Sequence, residues 1–142
     1  AARRRHAFDL WAYVFMPEHV HLLIWPAKEK YSISLILQSV KQSASRQAVA
    51  WLRTNSPAGL RLLSTGRRDR PWQFWQDGGG HDRNIRNAKA IRDFFSYIHN
   101  NLVKRGLVAQ PEDWKWSSAR DWNGIAVGPI PIDKQSCIDS MI

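Results

Sequence analysis

The chain is poor in cysteine and in acidic side chains. Cys137 is its single cysteine, and 12 Asp and Glu face 21 Lys and Arg. One cysteine excludes an intrachain disulfide framework and a cysteine-rich zinc site. No uninterrupted apolar run approaches the roughly 20 residues that span a bilayer. The chain does not open with the basic and apolar blocks of a secretory signal. These absences predict a cytoplasmic, reducing setting and no membrane partner. The shortage of acid leaves a formal net charge of +9 and a pI near 10.3. Such an excess points to a polyanionic partner, most often nucleic acid. Tryptophan is abundant, with eight in 142 residues. Trp72, Trp75, Trp114 and Trp116 are candidates for stacking on bases, although tryptophans embedded in motifs are more often structural.

The length fits one domain, and a hydrophobic fraction of 44% is enough for a core. Phe8 to Phe15 alternates loosely and is rich in aromatic and β-branched residues, which predicts a strand. Met16-Pro17-Glu18 breaks it, because proline cannot continue a central strand. His19 to Trp25 predicts a second strand, and so short a connection makes an antiparallel hairpin. A helix follows, with Ile33, Ile36, Leu37, Val40, Ala44, Ala48, Trp51 and Leu52 at helical spacing and Ser32 or Ser34 as cap. Asn55 to Pro71 reads as a loop, and residues 72–76, "WQFWQ", as a short strand stopped by "DGGG". A second helix is predicted from about Asn87 to Leu102, capped by Asn87 and ended by Gly106. Residues 111–122 predict a turn and a short helix. From Asn123 to the end, glycine and proline recur, which predicts an extended tail.

His19 and His21 are the least expected residues of the second strand. Positions i and i+2 of a strand share a face, about 6.5–7 Å apart. The two imidazoles can therefore meet one ion or one phosphate, or be two satisfied histidines on a half-exposed sheet. A two-histidine ion site needs further ligands, usually oxygen. The second helix offers Tyr97 and Asn101, neighbours at i and i+4. At about 100° per residue, Tyr97 lies about 120° and Asn101 about 80° from the centre of the apolar stripe, on the same side. Both sit at the margin of the buried face, where a side chain reaches a site without being sealed in the core.

Three blocks, "AYVFMPEHVHLLIWP", "FWQDGGGHDRNIRN" and "YIHNNLVKRGLV…PEDWKWSSA", resemble the IS200/IS605-type transposases. More closely they resemble the REP-associated tyrosine transposases, within the HUH endonuclease superfamily. His19-Val20-His21 matches the His–hydrophobic–His signature of that superfamily. The resemblance covers about residues 8–122 and implies an IS200-like catalytic domain over 1–122, followed by the tail, 123–142. It implies an α+β fold, a ferredoxin-like antiparallel sheet with helices on one face. The strand and helix that family members carry before "DLWAYVFMP" are not found, because the chain begins at "AARRRHAF".

The family's activity implies cleavage of single-stranded or hairpin DNA through a 5′-phosphotyrosine intermediate, followed by strand transfer in DNA transposition. Carried onto this chain, Tyr97 is the nucleophile. His19 and His21 hold Mg²⁺ or Mn²⁺, with Asn101 as the polar third ligand. A free phenol, with a pKa of about 10, is a poor nucleophile near neutrality, and a divalent ion on the scissile phosphate compensates. Leu102 stands where the family usually has proline after the asparagine. No residue declares itself as the general base, although Gln76 and His81 fall near the expected site. Expected phosphate contacts are Arg3, Arg4, Arg5, Arg61, Arg67, Arg68, Arg70, Arg83, Arg86, Lys104 and Arg105. The competing readings are a catalytically inactive hairpin-binding remnant of the same fold and a metal-dependent hydrolase that does not need Tyr97. The resemblance is compatible with a monomer or a homodimer.

Overall fold

A computed structural model describes residues 1–78 and 80–142. The chain divides into two compact units. The first comprises Ala1–His6 and Lys30–Asp82. It holds α1 (Ala2–His6), α2 (Ile33–Asn55) and α3 (Pro57–Leu62). Ser32 caps α2 as its sequence predicts, its hydroxyl accepting from the Leu35 N–H. α3 corrects the reading of 55–71 as a loop. Ser56 closes α2, with its N–H on the Leu52 carbonyl, and also caps α3, with its hydroxyl on the Gly59 N–H. One serine thus joins two helices where the sequence suggested only punctuation.

The predicted strand at 72–76 is also corrected. Trp72 makes only an isolated bridge to Ser64. The indole N–H of Trp75 is held 2.9 Å from the Lys41 carbonyl. Of the predicted "DGGG" break, Gly79 lies outside the described residues.

The second unit comprises Ala7–Glu29 and Arg83–Ile142. Strands β1 (Phe8–Phe15) and β2 (Val20–Pro26) form the antiparallel hairpin that the proline turn predicts. Among the described residues this is a two-stranded sheet, so the fold is α+β. The register pairs Leu10 with Ile24 and then Ala12 with Leu23, so Trp11 is an extra residue. That bulge explains why the alternation in β1 is only loose.

Helix α4 (Ala88–Lys104) packs Ile91, Ile98 and Leu102 into a core with Ala12, Val14 and Leu23. Its start and stop are legible in the sequence. Asn87 accepts the Ala90 N–H at 2.8 Å, and Gly106 adopts a φ of 68° just past the end. Residues 111–122 form a 3₁₀ turn, Pro111–Asp113, and a short helix, α5 (Ala119–Trp122).

The C-terminal segment is not extended throughout: Lys134–Met141 form α6. This segment covers β1. Asp133 accepts the Leu10 N–H at 2.8 Å, and its own N–H bonds the Leu10 carbonyl. Ser136 accepts the Trp11 indole N–H, and Cys137 is fully buried in the core. At Gly128 a Cβ would lie 2.6 Å from both the Tyr13 hydroxyl and Asp121 Oδ2, so only glycine fits. β1 is consequently buried from Leu10 through Val14.

Candidate active site

The second unit brings the predicted residues together. β2 begins at Val20, one residue later than its sequence predicts, and His19 belongs to the turn. The turn is closed by the Met16 N–H on the His19 carbonyl at 2.8 Å. His21 pairs with Val14 in the ladder. The two imidazoles face each other, with Nε2 atoms 3.1 Å apart and planes at 89°. Burial, and then the neighbouring His19, hold the His21 imidazole below the usual histidine range, which favours the neutral ring that a metal ligand requires.

α4 supplies the other two groups. The Asn101 amide nitrogen lies 3.5 Å from His21 Nε2. The oxygen and nitrogen of an amide exchange by a half-turn, so Oδ1 can take the same place. One turn earlier, the Tyr97 ring meets His21 edge to face, with centroids 5.6 Å apart. Tyr97 is 53% exposed, so this ring stands at the surface rather than in the core. Tyr13, by contrast, is fully buried, with its hydroxyl accepting the Ile130 N–H.

The donor set fits a small divalent cation. Two ligands at about 2.1 Å in adjacent octahedral positions are about 3.0 Å apart, close to the separation of the two Nε2 atoms. Among the described residues no three His, Cys, Asp or Glu side chains cluster to share an ion. Asn101, 3.5 Å from His21, is placed to be a neutral third donor, and such a set would leave positions for water or phosphate oxygens.

Two residues of the site were not read from the sequence in their present role. Glu18 Oε1 lies 3.3 Å from His19 Nδ1. Arg105, directly after α4, donates to the same carboxylate and holds it below the usual range. The sequence could have suggested Glu18 only by its place beside His19. His99 lies on α4 between Tyr97 and Asn101 but serves the fold. Ser118 Oγ accepts the Tyr13 N–H and donates to the Tyr13 carbonyl, so His99 Nε2–H must donate to Ser118. Burial pushes the His99 imidazole down to about 4, which keeps it neutral.

The predicted phosphate contacts separate by unit. Arg3, Arg4, Arg5, Arg61, Arg67, Arg68 and Arg70 belong to the first unit, as do Gln76 and His81. Arg67 pairs with Asp69, and Arg70 with Asp77, at 2.6 Å each. Arg83, Arg86, Lys104 and Arg105 belong to the unit that carries the histidines. Both Lys104 and Arg105 are exposed at the end of α4.

The chain is similar to a REP-associated tyrosine transposase of Escherichia coli (strain K12), with 30% identity over 133 residues that cover 92% of this chain and 65% of the relative. It is 25% identical over 131 residues to a Haemophilus influenzae protein provisionally given the same name, covering 84% of this chain and 69% of that one. The chain thus spans about two thirds of the length of these curated relatives. No family model matches it, and no solved structure does.

Proposed function

Because the chain belongs to the family of REP-associated tyrosine transposases, we propose that it cuts and rejoins single-stranded DNA with Tyr97 as nucleophile. The observation that carries this reading is the convergence of an exposed tyrosine, two facing imidazoles and an asparagine amide at one margin of α4. The β1–β2 hairpin with α4 packed on it would be the part of a ferredoxin-like sheet that such a site needs. The basic side chains, Lys104 and Arg105 at the end of α4 among them, supply phosphate contacts whose strength depends on salt.

His19, His21 and Asn101 would hold Mg²⁺ or Mn²⁺. When bound, the ion neutralises charge on the phosphoryl oxygens and on the leaving oxygen. Tyr97 supplies the nucleophile. Its phenolic oxygen attacks phosphorus, a Tyr–O–P bond forms, and the P–O3′ bond breaks. The phenol loses its proton to solvent, and the departing 3′ oxygen gains one. The 5′-phosphate remains on Tyr97 until a 3′ hydroxyl attacks it, which restores the phosphodiester and the tyrosine. The covalent ester keeps the bond energy, so rejoining needs no external cofactor.

The test uses hairpin DNA with single-stranded flanks, labelled 3′ of the hairpin. After incubation with Mn²⁺, a labelled protein band should appear on a denaturing gel, and it should vanish with Tyr97→Phe or with chelator. Hairpin binding without a labelled band would replace this reading with the inactive DNA-binding remnant. Cleavage retained by Tyr97→Phe would replace it with a metal-dependent hydrolase.

A further inference from the structure

The end of β1 carries a recess that the cleavage site does not use. It has a volume of about 400 Å³ and is lined by Phe15, Met16, Pro17, Trp114, Trp116 and Ile130. We propose that this recess binds one unpaired nucleobase of the DNA strand next to the cleaved phosphate, with Trp116 as the stacking platform. The proposal rests on the reading of single-stranded DNA as substrate.

The walls are set by the fold. The indole N–H of Trp114 is fixed 2.9 Å from the Phe15 carbonyl. The Phe15 N–H is bonded at 2.9 Å to the carbonyl of Trp116. The N–H of Ile130 is held on the Tyr13 hydroxyl. Of the two tryptophans, Trp114 is therefore committed to the fold, whereas Trp116 is 49% exposed. A preformed recess loses little freedom when it is filled.

The lining chemistry selects the occupant. No carboxylate lines the recess, and its side chains are apolar or aromatic. A sugar or a phosphate would leave its polar atoms unpartnered there. The face of a base would not, and every base has one. The Lys115 ammonium lies over one face of the Trp116 ring, 5.5 Å from its centre, so a base would stack on the other face or displace it, and the cation would then be close by for a phosphate of the same strand. That charge, in a chain of net +9, favours a nucleotide over an apolar peptide. Position agrees as well. Met16 and Pro17 begin the turn that His19 ends, closed by the Met16–His19 backbone bond. The recess and the histidines thus share one turn of chain, so a strand whose phosphate sat on the histidines would have the recess as a neighbour.

The test is an abasic scan read by fluorescence anisotropy, with chelator present so that binding is measured apart from cleavage. Each flank position of the hairpin oligonucleotide is made abasic in turn. One position should weaken binding about 5- to 100-fold in the wild-type protein. Trp116→Ala should erase that dependence, and Trp116→Phe should keep most of it. Placed at the same position, 5-iodouracil should crosslink to the peptide containing Trp116 in the wild-type protein, which needs no variant to fold. A flat scan, or a position dependence that survives in Trp116→Ala, overturns the recess. If the Tyr97 adduct still forms in that case, the nuclease reading stands without it. Failure to bind any single-stranded DNA overturns both.

Discussion

Glu18 holds the turn between the two strands from both sides. Its carboxylate beside Nδ1 of His19 favours the tautomer with the proton there, which turns the lone pair of Nε2 toward His21. Through Arg105 it also ties the turn to the end of the helix that carries Tyr97 and Asn101. Partners of this kind typically change metal affinity about 10- to 100-fold. Glu18→Gln should weaken Mn²⁺ binding by about tenfold, measured by the free Mn²⁺ signal in electron paramagnetic resonance. Tyr97→Phe should leave that signal unchanged, because the phenol is not among the expected ligands. An unchanged Mn²⁺ affinity in Glu18→Gln would mean that the carboxylate serves only the turn. Arg105 was expected on DNA and is found with Nη1 on Glu18, so a phosphate would share its guanidinium with that carboxylate.

α4 makes the site at the scale of an element. Its apolar stripe buries Ile91, Ile98 and Leu102, and the geometry of 3.6 residues per turn then places Tyr97 and Asn101 at the margin. Its N-terminus depends on Asn87, so Asn87→Ala should cost about 1 kcal/mol in urea unfolding. Ile98 is fully buried, and Ile98→Ala should cost about 2–5 kcal/mol. Because that cavity would open beneath Tyr97 and Asn101, Mn²⁺ affinity should fall with it, whereas Asn87→Ala should change stability alone.

The C-terminal segment and β1 bind across the length of the sequence. Leu10 and Asp133 are 123 residues apart and still exchange two hydrogen bonds. Cys137 reports on this closure. It is fully buried, and burial pushes its thiol up to about 11. It should not react with a thiol reagent in the native protein and should react at the rate of unfolding in urea. Gly128→Ala should cost about 1–3 kcal/mol, because the added methyl overpacks against Tyr13 and Asp121, and it should raise the rate of Cys137 labelling. No helix among the described residues is long and apolar enough to cross a membrane, and the net charge of +9 predicts that the logarithm of DNA affinity falls linearly with the logarithm of salt concentration.

The hairpin, α2, α4 and their caps follow from the sequence alone. Proline breaks, helical periodicity and capping side chains act over a few residues, and those interactions are present in the chain wherever it goes. The His19–His21 pair and the Tyr97–Asn101 pair are legible for the same reason, since each shares a face by the period of its own element. Tertiary structure alone decided the rest. The bulge at Trp11 lies in β1 itself, where the indole reaches Ser136, and the helix Lys134–Met141 and the glycine at 128 serve contacts to β1 from more than 100 residues away. The amino acids at both ends of such contacts look ordinary in isolation. That His21 meets Asn101, and that Glu18 meets Arg105, required α4 to pack on the hairpin. Periodicity fixes the face on which a side chain stands, and only packing brings two faces to one point.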